Sequence, residues 1–381
     1  MKYEPADIFF IAGEASGDLQ ASLLSGALQA VRPHTGVAGV GGDALAATGA
    51  RIAYHTPELA SIGPISVIPL LPLLYTLYFW LDHNLKRHPP RLLMPVDAGG
   101  FNVPLIRRLR RGGYSGRILY YIPPGAWVDN PRQARAVAAN ALALTPFQHQ
   151  RDFYRGLGLQ VEYFGHPLVS VIAARPQPEQ TAAPHIALLP GSRREEVARH
   201  LPILARAAAE IERRSAARFS IVASSATRSR QIAEVWRRSG GPQAAAIVRA
   251  KTTQALQAVT LAWVASGTAV LEAALLAVPQ IAFYAISPSQ YQLARRKVPE
   301  HLLHTITLPN LVLRRRIVPE LLQHDFTAQR LIDESTKLLS DERQVQRQLE
   351  GYGELRNSLG PPDSLQRIAA FVAGYMDAAS P

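Results

Sequence analysis

A chain of 381 residues, 48% hydrophobic and 18% charged, is too long for one ordinary core and too apolar to be disordered. Lysine and arginine outnumber the acids 41 to 29, a formal charge of +12 that suits nucleic acid, an anionic membrane surface or a phosphorylated substrate. The absence of cysteine excludes disulfides, thiolate catalysis and cysteine zinc sites, and no nucleic-acid-binding motif is present, so nucleic acid is not an expected partner.

Residues 1–7 carry Glu4 and Asp7 and lack the basic and apolar regions of a signal peptide, so a cytoplasmic protein is expected. Residues 7–13 read as a buried strand, followed by a small-residue loop and a helix over 19–31. Further strands are expected at 37–40, 92–96, 118–122 and 141–144. Residues 173–184, with three prolines and little periodicity, read as a linker. A second series follows, with strands at 186–189, 219–223, 261–264 and 280–284 and a helix from about Glu195. Strands alternating with helices predict an α/β fold with two parallel, doubly wound sheets. The expected domains are 1–172 and 185–345, with C-terminal helices over 346–381 returning to the first.

Residues 59–81 hold no charge, enough length to span a bilayer. Pro64, Pro69 and Pro72 interrupt the run inside an α/β pattern. Two other readings fit better: a buried core segment, or an apolar surface dipping into one leaflet. In the second, Tyr75, Tyr78, Phe79 and Trp80 lie near the headgroups. Lys86, Arg87 and Arg91, then Arg107, Arg108, Arg110 and Arg111, supply cations beside it. An exposed helix face is the plainer reading of the arginine run.

Three loops join a strand to a helix. The first, Gly13-Glu14-Ala15-Ser16-Gly17-Asp18, lacks the spaced glycines of a dinucleotide fingerprint, and a tight turn needs glycine in any case. In the second, Pro190-Gly191-Ser192-Arg193, backbone N–H groups and a guanidinium can meet a diphosphate, and no Walker pattern follows. In the third, Ser266, Gly267 and Thr268 can donate to phosphate, and Glu272, one turn into the next helix, can accept from ribose hydroxyls. Two phosphate-competent loops in the second half fit a nucleotide-diphosphate sugar. His55 and His83 have no partner spacing that suggests a metal.

The strings AGEASGD, GHPL, LLPGSR, ASGTAVLEAAL, LPNL and PELLQ, in this order over about residues 7–325, resemble the signature blocks of the lipid-A-disaccharide synthase family. The resemblance implies a GT-B fold of two Rossmann-like domains, the first for the acceptor and membrane and the second for a UDP-sugar. It implies transfer of 2,3-diacylglucosamine from its UDP donor to 2,3-diacylglucosamine 1-phosphate, with inversion, no metal and no cofactor. Both substrates are acylated, so the enzyme would be peripheral on an anionic inner-membrane surface. Asp97 matches the family's general base and Arg193 its essential arginine. Ser192, Ser266, Gly267, Thr268, Glu272, Asn310 and Gln323 match the donor side; Glu14, Ser16, Asp18, Asn102 and His166 are assigned to the acceptor cleft.

Three stretches depart from the family's pattern. Gly99-Gly100 replace Pro-Asp, residues 122–128 lose one tryptophan and two hydroxyls, and Ala285 stands for a basic residue. These changes leave open a transferase acting on another lipid, or a silent nucleotide-sugar-binding homologue. A UDP-sugar epimerase on the same fold is a further class, against which the uncharged stretch argues.

Overall fold

The computed structural model describes residues 1–56, 71–124, 130–176, 183–297 and 301–378. The expected linker lies partly outside them, as do residues 59–70 and 125–128. The chain forms two compact units, Met1–Ser170 with Leu359–Pro381, and Val171–Ser358.

In the first unit, seven parallel strands are β1 (Ile8–Ala12), β2 (Val37–Gly41), β3 (Arg51–His55), β4 (Leu92–Val96), β5 (Arg117–Tyr121), β6 (Leu142–Thr145) and β7 (Val161–Tyr163). Their order is β3-β2-β1-β4-β5-β6-β7. Every residue of β1 is buried because both faces of the sheet are covered. Ile8 and Phe10 pack with Leu24 and Leu28 of α1 (Ala15–Val31), while Phe9 and Ile11 face the other way. There they meet Leu77, Leu81 and Leu85 of α2 (Leu71–Arg87), and Leu105, Ile106 and Leu109 of α3 (Gly99–Arg111). The first helix starts four residues before the expected one. No helix among the described residues is long and apolar enough to cross a membrane.

The second unit has a six-stranded parallel sheet in the order β10-β9-β8-β11-β12-β13. The strands are β8 (His185–Leu189), β9 (Arg218–Val222), β10 (Ala246–Val248), β11 (Leu261–Ala265), β12 (Gln280–Tyr284) and β13 (Glu320–Leu322). One face is covered by α4 (Arg194–Arg214), whose Val197, Leu201, Leu204 and Ala208 recur at helical spacing over Ile186 and Leu188. Helix α5 (Ala226–Arg238) adds Ile232 and Trp236 to the same core. Helix α6 (Thr268–Leu275) follows β11, and α7 (Glu342–Ser358) places buried Gln348 at the start of β12. Gln348 accepts from the Gln280 N–H at 2.8 Å and donates to the Gln280 carbonyl at 3.0 Å.

From Leu359 the chain belongs to the first unit again, and α8 (Ser364–Asp377) buries Ile368 and Val372 against Ile8 and Leu24. At the crossover the His166 N–H donates to the Leu359 carbonyl at 2.7 Å. Gly165 and Gly360 lie back to back with φ of 96° and 111°. A Cβ on Gly360 would stand 2.7 Å from the Gly165 Cα, so neither position accepts a side chain.

Candidate functional site

In an open parallel sheet, a ligand crevice forms where the strand order reverses, beyond the carboxyl ends of the two strands that flank the reversal. In the first unit these are β1 and β4, which end in Gly13-Glu14 and Asp97-Ala98. In the second they are β8 and β11, which end in Pro190–Arg193 and Ser266–Thr268. Topology therefore brings the first loop beside Asp97, and the second loop beside the third.

At the first reversal the loops touch closely: a Cβ on Gly13 would lie 3.3 Å from that of Ala98. Asp97 and Ala98 are left-handed, with φ of 46° and 45°, and so is Ile122 at the end of neighbouring β5, with φ of 56°. Left-handed backbone is costly for a β-branched residue and persists only where the surroundings over-determine it. Here they do. The Asp97 carbonyl accepts from the Tyr120 hydroxyl at 2.6 Å and the Asn102 amide at 3.0 Å, and the Asp97 N–H donates to Tyr121 at 3.1 Å. Burial raises the Asp97 carboxyl to about 6; the charge of Glu14 adds to this, and a backbone hydrogen bond at Ala98 opposes it.

Three of the other first-unit candidates, Asn102, Asp18 and His166, make contacts within the unit. Fully buried Asn102 donates to the carbonyls of Ile11, Val96 and Asp97, tying β1 to β4. The Asp18 carboxylate accepts from Gly42, Ala44 and Leu45 N–H groups at 2.6–3.2 Å, turned onto the helical turn after β2. His166 is buried against Phe147, and burial lowers it to about 3, a neutral ring beside the crossover. Ser16 is half-buried in the first turn of α1. His55 pairs with Asp43, and His83 accepts from Arg87.

At the second reversal the expectation of N–H groups waiting for a diphosphate needs correction. Both the Ser192 and Arg193 N–H groups donate to Glu196 Oε2, at 3.1 and 3.2 Å, and the Arg193 guanidinium donates to Oε1 at 2.9 Å. Glu196 folds back from the third position of α4 as a capping side chain. Gly191, with φ 112°, leaves room for it: a Cβ there would stand 2.4 Å from Oε2. Buried His200 completes the brace, its Nδ1 against the Pro190 carbonyl at 2.8 Å and its Nε2 accepting from the Ala285 N–H at 3.2 Å. Burial lowers the His200 pKa, opposed by its backbone contacts at Pro190 and Ala285 and by the charge of Glu196, which favours the neutral ring. Neither residue was singled out from sequence, although glutamate at the third position of a helix is a readable capping signal for Glu196.

The third loop is open. Ser266 donates its N–H to Phe283 at 2.9 Å, Gly267 is exposed, and Thr268 opens α6, whose first N–H groups have no partner within the helix. Glu272 is raised to about 6 by burial, opposed by a hydrogen bond with Thr252. Asn310 is fully buried: it accepts from Ile317 and Val318 N–H groups at 2.8 and 2.9 Å and donates to the Val318 carbonyl at 2.9 Å. Its amide pins the turn before β13. Gln323 follows β13 in left-handed backbone, φ 50°, half-buried. Among the described residues no group of three His, Asp or Glu side chains is placed to hold a metal.

The model of a family described as lipid-A-disaccharide synthetase matches residues 8–367. The chain belongs to this family. A lipid-A-disaccharide synthase of Azotobacter vinelandii is 35% identical over 299 residues, 76% of this chain and 78% of that one. One from Gloeothece citriformis is 31% identical over 97% of this chain and all of the relative. Among solved structures, the S. aureus MnaA–UDP complex has a TM-score of 0.65 at 12% identity, covering 99% of this chain and 98% of the other. A calicheamicin glycosyltransferase has 0.61 at 14%, with both chains covered fully. The fold is GT-B, and the family is one of glycosyltransferases.

Two of the family departures touch each other. A Cβ on Gly99 would lie 2.4 Å from that of Pro124, so the glycine and the proline accommodate one another across β4 and β5. The third, Ala285, uses its backbone N–H on His200. Residues 125–128, in the same stretch as Pro124, lie outside the described residues.

Proposed function

We propose that the chain transfers 2,3-diacylglucosamine from its UDP donor to the 6-hydroxyl of 2,3-diacylglucosamine 1-phosphate, releasing UDP and inverting the anomeric centre. The observation that carries this reading is the over-determined loop at the first reversal, where Asp97 sits in left-handed backbone with its carboxyl raised to about 6. A base works best with a pKa near the working pH, and an ordinary exposed aspartate lies too low.

In this reading Asp97 takes the proton of the acceptor hydroxyl as its oxygen bonds to the anomeric carbon. The bond from that carbon to the diphosphate oxygen breaks, and UDP leaves. Glu14 tunes the base by its charge, and Asn102 and Tyr120 hold the loop by its carbonyl. The diphosphate is met by Ser266, Gly267, Thr268 and the N-terminus of α6, where charge developing on the leaving group is stabilised. Arg193 supplies the cation, held in place by Glu196. Ionised Glu272 accepts from ribose hydroxyls, and Gln323 lies on the same donor side. Two acylated substrates call for work at a membrane surface.

Purified protein incubated with UDP-2,3-diacylglucosamine and 2,3-diacylglucosamine 1-phosphate in detergent micelles should release UDP and disaccharide in equal amounts. UDP binding with no disaccharide formed would overturn the acceptor assignment.

A further inference from the structure

The side chains expected at a membrane divide into two sets. Leu71, Tyr75 and Phe79 recur every fourth residue on α2 and are exposed, Tyr75 at 60% and Phe79 at 48%. Tyr78 turns inward, its hydroxyl donating to the Pro104 carbonyl at 3.0 Å and its ring edge-on to Phe101. Trp80 packs against Tyr3. The exposed apolar set on this face is thus a stripe of three, with Tyr78 and Trp80 half-buried beside it.

Beside that stripe, α2 and α3 enclose a groove of about 550 Å³, lined by Lys86, Arg107, Arg108 and Arg111 with Tyr78 and Pro104. Its cations are not equivalent. Asp82, almost buried, pairs with Lys86 at 2.7 Å and with Arg108 at 2.8 Å. Burial works to raise the Asp82 carboxyl, but hydrogen bonds from these two cations prevail and hold it low. Arg108 also lies over the Phe79 ring at 4.9 Å, joining groove to stripe. Arg107 and Arg111 are exposed and form no ion pair among the described residues. One carboxylate therefore offsets one of four cations and leaves a net positive, concave surface.

We propose that this groove binds the phosphate headgroup of an anionic membrane lipid, with Arg107 and Arg111 on the phosphate and the Leu71-Tyr75-Phe79 stripe among its acyl chains. The inference rests on the membrane-surface reading above and gives that surface one docking site. Charge complementarity and the adjoining apolar stripe select a lipid over a soluble anion. The acceptor's own phosphate is the competing occupant, since Arg107 stands eight residues along α3 from Gly99, about 12 Å at helical rise, and turnover of R107A/R111A in micelles decides between the two. Arginine near a helix C-terminus also steadies the helix dipole, so the test must separate docking from helix stability.

Cosedimentation with vesicles of phosphatidylcholine, alone or with phosphatidylglycerol, makes that separation. R107A/R111A should bind phosphatidylglycerol vesicles roughly thirtyfold more weakly than wild type and phosphatidylcholine vesicles equally well, with an unchanged melting temperature. Y75S/F79S should lose binding to both. The equal-charge control R230A/R237A, on exposed positions of α5, should lose less than threefold. Wild-type affinity of R107A/R111A for anionic vesicles would overturn the proposal, and so would an equal loss in the control, the mark of a diffuse field. R107K/R111K should recover only part of the binding, because lysine lacks the bidentate fork; full recovery would again mean a diffuse field. Disaccharide formation in micelles should be unchanged in R107A/R111A. Failure of wild type to form disaccharide would sink the catalytic reading and leave the vesicle result standing.

Discussion

The two sheet reversals share one plan, strand then small-residue loop then helix, and use their carboxylates in opposite ways. At the second, Glu196 is satisfied: two backbone N–H groups and the Arg193 guanidinium surround it, and His200 locks the loop from behind. At the first, Asp97 shares a confined space with Glu14 and is held from ionising at its usual pH, while its backbone is pinned by Tyr120 and Asn102. Hydrogen bonds at one reversal fix geometry; at the other they hold a strained residue whose charge stays adjustable. A loop that holds a leaving group needs stiffness, and a base needs a proton affinity near the working pH. In the proposed reaction the second reversal would hold the leaving group and the first would supply the base.

The contrast can be broken by substitution. D97N should lower kcat by at least about a hundredfold with the fold intact, the usual contribution of a positioned base; turnover within threefold of wild type would remove Asp97 from the mechanism. E196A removes the acceptor of two N–H donors and of the part-buried Arg193 guanidinium. Thermal or denaturant unfolding should show a loss of about 2–4 kcal/mol, with a raised KM for the UDP-sugar, and E196Q should recover part of both. An unchanged stability in E196A would mean water replaces the carboxylate without cost.

Glu272 gives a sign test. Its folded pKa, about 6, lies above the value of an unfolded glutamate, so the folded state holds its proton over that interval. Its effect on stability is fully favourable below about pH 4.5 and is lost as pH rises to about 6. Allowing for partial solvent contact, E272Q should gain up to about 2 kcal/mol above pH 7, with the gain vanishing below pH 4.5. A melting curve whose E272Q advantage grows on acidification would reverse that assignment. The smallest effect is E14Q: losing one negative charge should move the acid limb of kcat/KM to lower pH, by less than the full displacement, because burial is the larger cause.

Central strands were readable because burial on both faces writes an unbroken apolar run, as in Ile8-Phe9-Phe10-Ile11-Ala12. The four strands that passed unnoticed, β3, β7, β10 and β13, are the four sheet edges. There Arg51-Ile52-Ala53-Tyr54-His55 is mostly open to solvent and three-residue strands leave no period to read. Candidate residues were legible as loop chemistry, but sequence does not report where a side chain's hydrogen bonds go. Asp18, Asn102 and Asn310 look like ligand contacts in a motif, yet the Asp18 carboxylate, the Asn102 amide nitrogen and the Asn310 amide all bond backbone groups nearby. Nor does sequence report backbone sign: left-handed Asp97, Ala98 and Ile122 follow from strand ends that only tertiary pairing brings together.

The most direct test is the pH dependence of kcat/KM for disaccharide formation in wild type and D97N, since that ratio reports the free enzyme's groups. Wild type should fall tenfold per unit below a pKa of about 6, and the residual rate of D97N should be flat across that range. The same limb surviving in D97N would contradict the assignment of Asp97 as the base.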